Sequence, residues 1–328
     1  MGKLTYSAIS LSLLYSGMIS AELAEKQGLS GEVSINTGYM SSTSNFNTDG
    51  EKIKTGELNT AGSSESDVAF TPLGSLQYTF GTGLDKQFYI GTSRDDVAVG
   101  DFALELGYSQ EFAYGTVVSV SYVPSIMAGE TWEDPYLTGT ERKTTDQSTD
   151  AFRLKLSTIA GTGLSLDLAF ATTEIEEEKS GSVFSATDQK LLDRNGNSIY
   201  IKAEYKSELD RTSALVPSLT YISHSADGEA MAFSSYRGEL TYYKLIERHL
   251  VAVTAGYGHS AYDATNPLFN KTRSDNSYGL FVAYEYNSIF GWNDWSFVSF
   301  AGYGKNASNI EFYDEKGYLA LVGMNYKF

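Results

Sequence analysis

The stretch GYLALVGMNYKF, residues 317–328, ends the chain and alternates in character from one residue to the next. Gly323, Asn325 and Lys327 separate positions that are apolar or aromatic. Those positions are Tyr318, Ala320, Val322, Met324, Tyr326 and Phe328. Because successive side chains of a β-strand point to opposite faces, the alternation predicts a strand with one apolar face that runs to the last residue. Chain ends are more often frayed and polar, so the final aromatic ring needs an explanation.

The same alternation recurs in other segments along the chain, among them residues 29–40, 150–159, 163–170, 198–206 and 277–286. The connections between such segments are of two kinds. Tight ones lie at 81–85, 111–115 and 160–163, and long polar ones lie at 41–67, 125–149 and 172–197. Short turns at one end and long loops at the other predict an all-β fold, a transmembrane antiparallel up-and-down β-barrel.

The pattern gives about fourteen strands, an even number as this architecture expects. Two of the segments are weaker than the rest. Residues 86–93 are few for a spanning strand, and residues 295–304 are apolar on both faces. A barrel of about twelve strands is therefore the alternative.

The composition excludes several other classes of protein. The 328 residues include 31 Gly, 24 Tyr and 17 Phe, which favours strands and turns. The chain has no cysteine, so disulfides, thiolate metal sites and lipid-modified cysteines are excluded. The net charge of −17 argues against nucleic-acid binding, which needs clustered Lys and Arg. A barrel accounts for the low mean hydropathy of −0.24, because lipid-facing and lumen-facing residues alternate.

Residues 1–21 have the features of a secretory signal peptide. Lys3 supplies an early positive charge, an apolar run extends to Met18, and small residues follow up to Ala21. The run is shorter than the ~20 residues of a spanning helix, which argues against a membrane anchor. We predict cleavage after Ala21 and export of residues 22–328 as a single transmembrane β-barrel domain in the cell outer membrane.

Aromatic residues cluster at both ends of the predicted strands. At the long-loop ends are Tyr39, Phe70, Phe152, Phe170, Tyr221, Tyr257, Tyr278 and Tyr318. At the short-turn ends are Phe80, Tyr205, Tyr242, Tyr286, Trp295, Tyr326 and Phe328. Two such groups predict the aromatic girdles of a membrane barrel. The alternative, a soluble β-sandwich, would concentrate its aromatic residues in mid-strand.

In these girdles and in its last strand, the chain resembles the outer-membrane β-barrel proteins of Gram-negative bacteria. The resemblance covers the whole chain after the signal peptide, in pattern rather than in identities. It implies that the barrel-assembly machinery recognises the C-terminal strand, with Tyr326 and Phe328 as the assembly signal. It also implies outer-membrane lipid and lipopolysaccharide as surrounding partners.

Catalytic and metal motifs are weak. His259 and Ser260 are adjacent, so their side chains point to opposite faces of a strand. That arrangement differs from the oriented His–Ser pair of the outer-membrane phospholipase and lipid A deacylase. The stretch DRNGNS, residues 193–198, offers oxygen ligands but has Ser198 where a calcium loop needs glycine. We predict no enzyme activity, no catalytic residue, no metal site and no cofactor.

Charged residues occur on the strand faces opposite the apolar ones, and we predict that they line a pore. They are Glu32, Glu105, Arg153, Lys155, Asp167, Lys202, Glu204, Lys206, Arg237 and Glu239. A basic residue facing lipid would cost about 2–4 kcal/mol at the membrane midplane. The interior of about fourteen strands is too wide for side chains alone to fill, so a water-filled lumen is expected unless something plugs it.

The sequence favours a porin-like channel for passive diffusion of small hydrophilic solutes, with sugars or oligosaccharides as candidates. Two alternatives stay open. One is an outer-membrane barrel enzyme that acts on lipid or protein, which a catalytic group at the outer rim would favour. The other is a structural or surface-binding barrel, which a lumen blocked by its own side chains would favour.

Overall fold

The computed structural model describes residue 23 and residues 26–93, 96–97, 103–124 and 129–328. The predicted signal peptide lies outside these residues. The described residues form sixteen strands of one sheet and a short α-helix, Ala186–Leu191. The strands are β1 Gly28–Thr43, β2 Ser64–Phe80, β3 Lys86–Thr92, β4 Leu104–Glu111, β5 Val117–Val123, β6 Gly129–Trp132, β7 Thr144–Ser157, β8 Leu164–Ile175, β9 Gly196–Tyr205, β10 Ser207–Asp210, β11 Ser213–Ala226, β12 Phe233–Ile246, β13 His249–Asn266, β14 Lys271–Asn287, β15 Trp295–Ser308 and β16 Glu315–Lys327.

The sheet closes into a barrel of fourteen strand positions, because β16 pairs with β1. β9 and β10 both pair with β11 and share one position, while β6 pairs with β7 beside the ring. Each strand runs antiparallel to its neighbours. Closure pairs the first and last strands, whose edges would otherwise be exposed. The predicted all-β class and the fourteen-stranded antiparallel barrel are confirmed, and both weaker segments form strands of the ring, β3 and β15.

Seven connections lie at one end of the barrel and are named here the outer loops. They are L1 (44–63), L2 (93–103, of which 93, 96–97 and 103 are described), L3 (124–143, of which 124 and 129–143 are described), L4 (176–195), L5 (227–232), L6 (267–270) and L7 (309–314). The connections at the other end have two to seven residues, and the predicted tight turns lie among them. Short and long connections therefore segregate as the sequence predicts.

The strands run further into the long loops than the sequence analysis predicted. β1 continues to Thr43 and β2 begins at Ser64, so both ends of the predicted loop 41–67 belong to strands. Polar residues complete the ladder there, as where Ser42 lies opposite Glu65. The predicted boundaries were wrong because strand pairing uses main-chain groups, which do not depend on the apolar alternation that marks the membrane-facing part.

An apolar band surrounds the barrel. Each of the fourteen strand positions contributes at least one large, exposed apolar or aromatic side chain. One from each position, in ring order, gives Leu29, Phe70, Ile90, Leu106, Val120, Phe152, Phe170, Ile199, Leu219, Leu240, Tyr257, Leu280, Tyr303 and Val322. Their neighbours along each strand point into the lumen, the space inside the barrel. In the described part of the chain, no helix is both long enough and apolar enough to cross a membrane.

Deleting Phe328 is expected to lower the yield of folded barrel several-fold. The main chain of Phe328 closes the β16–β1 seam, since its N–H donates to Gly31 O and its O accepts from Gly31 N, both at 2.9 Å. Its ring lies 6.0 Å from that of Tyr326. Heat-modifiable gel mobility of membrane fractions measures the yield. Phe328→Tyr, which keeps ring and main chain, should assemble normally, and an undiminished yield of the deletion variant would contradict the predicted assembly signal.

Candidate functional site

Nine of the ten charged residues predicted to line a pore lie at strand positions that alternate with the exposed apolar band, and Lys206 directly follows β9 with the same parity. Their side chains therefore belong to the inner face of the barrel. They divide into an ion cluster around Arg153, a basic strip across β7 to β9, and separate groups at Arg237 and Glu32. Their role in lining a pore stays a prediction.

The ion cluster joins one guanidinium to three carboxylates. Arg153 Nη1 lies 2.7 Å from Asp96 Oδ2 and 3.5 Å from Glu105 Oε2, and Arg153 Nη2 lies 2.6 Å from Asp167 Oδ2. The four side chains are between 8% and 14% exposed. Ser121 Oγ donates a further hydrogen bond of 2.8 Å to Glu105. Because an uncompensated charge at this burial is costly, the four groups depend on one another.

The basic strip runs beside this cluster. Asp167 on β8 lies directly opposite Lys155 on β7 and Lys202 on β9. Lys202 Nζ is also 3.5 Å from Glu204 Oε2. Lys206 continues the strip toward the short-turn end, where its Nζ is 4.0 Å from Glu208. Acidic residues thus interrupt the strip, and it presents alternating charges rather than one positive surface.

Arg237 and Glu239 form a third group on β12. Arg237 Nε donates a 2.8 Å hydrogen bond to Glu239 Oε1. The guanidinium extends over β13 and β14, where a Cβ added to Gly256 or Gly279 would come within 2.8 Å of Arg237 Nη2. Glycine at these positions therefore gives the arginine room to lie flat on the wall. On β1, Glu32 accepts a 3.0 Å hydrogen bond from Asn325 Nδ2.

Loop L2 connects opposite walls of the lumen. Asp96 contacts Arg153 on β7, while the next residue, Val97, packs against an apolar cluster of Phe281, Val298, Phe300 and Leu321. Two of these four residues lie on β15, seven strand positions from β7 in the ring of fourteen. Two adjacent residues that contact both walls cross the lumen, so Asp96 and Val97 narrow it there.

A cavity lies in the lumen beside Val97. Its wall is apolar at Leu73 and Phe300 and polar at Glu32, Glu285 and Asn325. The polar members belong to the halves of their strands that lead to the short-turn end. The cavity therefore extends from Val97 toward that end.

The outer loops form a hydrophobic core of their own, named here the cap. Its buried members come from L3, L4, L5 and L7, and side chains of L1 and L6 pack against them. They are Tyr136, Leu192, Ala230, Met231, Ile310, Phe312 and Tyr313, with Phe46, Leu58, Leu191, Leu268 and Phe269 around them. L1 and L4 leave the ring six of its fourteen strand positions apart, close to half a circumference, so a cluster that contains side chains of both spans the mouth.

Tyr313 lies at the centre of the cap and is 1% exposed. Its hydroxyl is 2.7 Å from the hydroxyl of Tyr136 and accepts a 2.8 Å hydrogen bond from Asn266 Nδ2. Arg273 stacks on its ring at 3.8 Å. Burial raises the pKa of Tyr136 to about 12 and also raises the pKa of Tyr313. Both phenols are therefore neutral at physiological pH.

Hydrogen bonds between neighbouring loops hold the cap together. Asn45 Nδ2 of L1 donates to Phe312 O of L7 at 2.8 Å, and Arg142 Nη1 of L3 donates to Asn45 O at 3.0 Å. Arg194 Nη2 of L4 donates to Trp132 O at 2.6 Å. Side-chain contacts to main-chain oxygens fix the paths of the loops, so the cap is a folded element rather than a set of independent loops.

The histidines do not form a complete catalytic group in the described residues. His259 Nδ1 is 3.1 Å from Asn276 Oδ1, whereas Ser260 Oγ donates to Ser235 Oγ on the other face. The barrel does bring His224 Nδ1 to 2.9 Å from Ser198 Oγ. A serine activated by histidine also needs a group that orients the ring and an oxyanion site. Among the described residues, no group of three His, Cys, Asp or Glu could hold a metal ion.

The residues predicted from the sequence include two carboxylate partners of Arg153, Glu105 and Asp167, but not the third, Asp96. Asp96, the bidentate partner of Arg153, follows a strand that was judged weak, in the stretch TSRDDVAVG. The available signal was the pair of adjacent aspartates that follows β3 in the sequence, which the alternation of the strands does not assign to either face. The cap residues gave no signal, because they occur singly or in adjacent pairs within polar loops, without the period of a strand or helix.

Comparisons with known proteins give one family and several barrels of low similarity. The family profile described as "Protein of unknown function (DUF2860)" matches residues 28–327. No curated protein matches the chain.

Among solved structures, the outer membrane channel DcaP of Acinetobacter baumannii is 10% identical, with a TM-score of 0.45 over 94% of this chain and 99% of that chain. The anion-selective porin from Comamonas acidovorans is 10% identical, with a TM-score of 0.42 over 92% and 100%. OpdQ of Pseudomonas aeruginosa is 11% identical, with a TM-score of 0.39 over 92% and 98%.

Proposed function

The chain belongs to the DUF2860 family, and we propose that it forms a porin-like channel of the outer membrane for passive diffusion of small hydrophilic solutes. The observation that carries the proposal is the contrast between the two faces of one closed barrel. The outer face presents an apolar band on every strand position, and the inner face carries the ion cluster and the basic strip. This contrast is what a bilayer outside and water inside require.

Two elements regulate passage along the lumen. The cap spans the outer mouth, and solutes enter when its loops separate. L2 sets the constriction, where a solute passes between the charged wall at Arg153 and the apolar wall at Phe300. Small polar molecules with a partly apolar surface, such as sugars, match walls of both kinds.

The channel is proposed to have a mild cation preference. The ten charged residues predicted to line the pore are five acids and five bases, so they carry no net charge. The acidic residues of L3 and L4 raise the local cation concentration at the mouth over about 10 Å at 0.1 M salt. Their effect is limited, because Glu178 pairs with Arg194 and Glu177 with Lys179.

Swelling of protein-containing liposomes in sugar solutions tests the channel. We expect swelling that falls steeply as the sugar becomes larger, because the constriction limits passage. Heat-denatured protein in the same liposomes is the control. Absence of swelling in both the wild-type barrel and a barrel whose cap is opened by Tyr313→Ala would overturn the proposal.

One observation favours a second function, a surface barrel whose loops bind a partner. The cap is a packed element, and it exposes Val183 and Phe184 of L4 and Ile53 of L1 at 68%, 40% and 45%. A blocked lumen with a rigid outer surface suits recognition rather than transport. The same swelling experiment separates the two functions. An enzyme activity is not part of the proposal, because the Ser198–His224 pair has no orienting acid among the described residues.

A further inference from the structure

Two lysines lie directly opposite each other on the outer face of the barrel. Lys305 of β15 and Lys316 of β16 are a register pair, and both side chains are exposed. They alternate with Gly304 and Gly317 of the inner face and share the face of Tyr303 and Tyr318. The pair therefore points away from the lumen, at the end of the strands that leads to the outer loops.

The chain itself does not compensate this pair. Like charges directly opposite in a sheet destabilise it. Among the described residues neither ammonium forms an ion pair, and the cross-strand neighbours on either side are Thr43 and Tyr278. The carboxylate of Asp314 accepts a hydrogen bond from Ser308 N instead. A chain with 41 acidic and 24 basic residues thus leaves two cations side by side.

The surroundings of the pair place it at a lipid headgroup. Five tyrosines on the same side of the barrel are 44–51% exposed. They are Tyr39, Tyr257, Tyr278, Tyr303 and Tyr318. Exposed tyrosines form the girdle at the boundary between acyl chains and water. Lys305 and Lys316 each lie two residues beyond a girdle tyrosine, about 7 Å further toward the outer end, at headgroup depth.

The opposite side of the barrel has the opposite charge. Asp150 of β7 and Glu174 of β8 are exposed on the outer face at the same end, half the ring away. Anionic headgroups are therefore attracted to one side of the barrel and repelled from the other. This asymmetry distinguishes a site from a general affinity of the rim for lipid.

We propose that Lys305 and Lys316 bind a phosphate group of an outer-leaflet glycolipid whose acyl chains lie on the apolar band below. Two ammonium groups suit one phosphate, because it has several acceptor oxygens and carries more than one negative charge. Tyrosine side chains beneath the phosphate pack against the sugar and the first methylene groups. This site is independent of the proposed channel, because it is on the other face of the strands.

Native mass spectrometry of the detergent-solubilised barrel with bisphosphorylated lipid A tests the site. We expect the wild-type protein to retain one glycolipid, and the Lys305→Gln/Lys316→Gln variant to retain at least several-fold less. Lys52→Gln/Lys190→Gln is the matched control, because it removes two exposed loop cations. It should bind as the wild type does. Heat-modifiable mobility confirms that each variant is folded.

Three further measurements decide the nature of the site. Retention of the glycolipid should be unchanged by EDTA, because the lysines contact the phosphate without a bridging divalent cation. Dephosphorylated lipid A should bind more weakly, and inorganic phosphate should not displace the glycolipid. The proposal would be overturned if the lysine variant retained as much glycolipid as the wild type, or if the dephosphorylated lipid bound equally well. It would also be overturned if EDTA or inorganic phosphate released the glycolipid, or if a second barrel could be cross-linked to β15 and β16.

Discussion

Replacing Tyr313 by alanine is expected to raise ion conductance by roughly tenfold or more, because it destabilises the cap. Removing a buried aromatic side chain costs about 3–5 kcal/mol, and each 1.4 kcal/mol changes an equilibrium about tenfold. Tyr313 also holds the hydroxyl of Tyr136, the amide of Asn266 and the guanidinium of Arg273. The variant therefore loses packing and leaves the Tyr136 hydroxyl and the Asn266 amide without this partner, whereas Arg273 keeps its ion pair with Asp275.

Planar-bilayer recording of the refolded proteins measures this effect. Phe184→Ala is the matched control, because it also removes an aromatic ring from an outer loop but one that is 40% exposed. It should conduct as the wild type does. If Tyr313→Ala conducts no more than the wild type, the cap does not limit passage.

Replacing Arg153 by alanine is expected to widen the constriction and make the channel strongly cation-selective. The change leaves Asp96, Asp167 and Glu105 without their common partner. Breaking a buried ion pair by removing one partner costs about 3–5 kcal/mol of stability. The contact of Val97 with the opposite wall is too weak to offset this loss. L2 should leave the wall, and three carboxylates should then face the solution in the lumen.

Reversal potential across a salt gradient measures the selectivity, and single-channel conductance measures the width. Arg237→Ala is the control, because it also removes an inner-wall arginine but one that is 34% exposed and pairs with a single carboxylate. It should change selectivity much less. Arg153→Lys should be intermediate, since it keeps the charge but loses the forked geometry. An Arg153→Ala barrel with unchanged selectivity would show that solutes do not pass this cluster.

The barrel could be predicted from the sequence because its pattern is local. Alternation from Tyr318 to Phe328 identifies a strand and its apolar face without reference to the rest of the chain. The same rule places Arg153 and Asp167 on the inner face. Both connections of β7 could be classified from their length and polarity.

The contacts within the lumen and the cap could not be predicted in this way. Tyr136 and Tyr313 are 177 residues apart, and Arg153 and Asp96 are 57 apart. These residues meet only because the ring closes and the loops turn inward. No period or spacing in the sequence records which loop residues share a core, so the sequence left open whether the lumen is blocked.

The contact of L2 with both walls also has a mechanical consequence. A ring of fourteen strands without an internal brace can flatten into an ellipse as its strands flex. Asp96 and Val97 connect β7 to the β14–β16 side, and thereby hold these two opposite walls at a fixed separation. The number of strands sets the perimeter of this barrel, whereas contacts across the lumen resist its flattening.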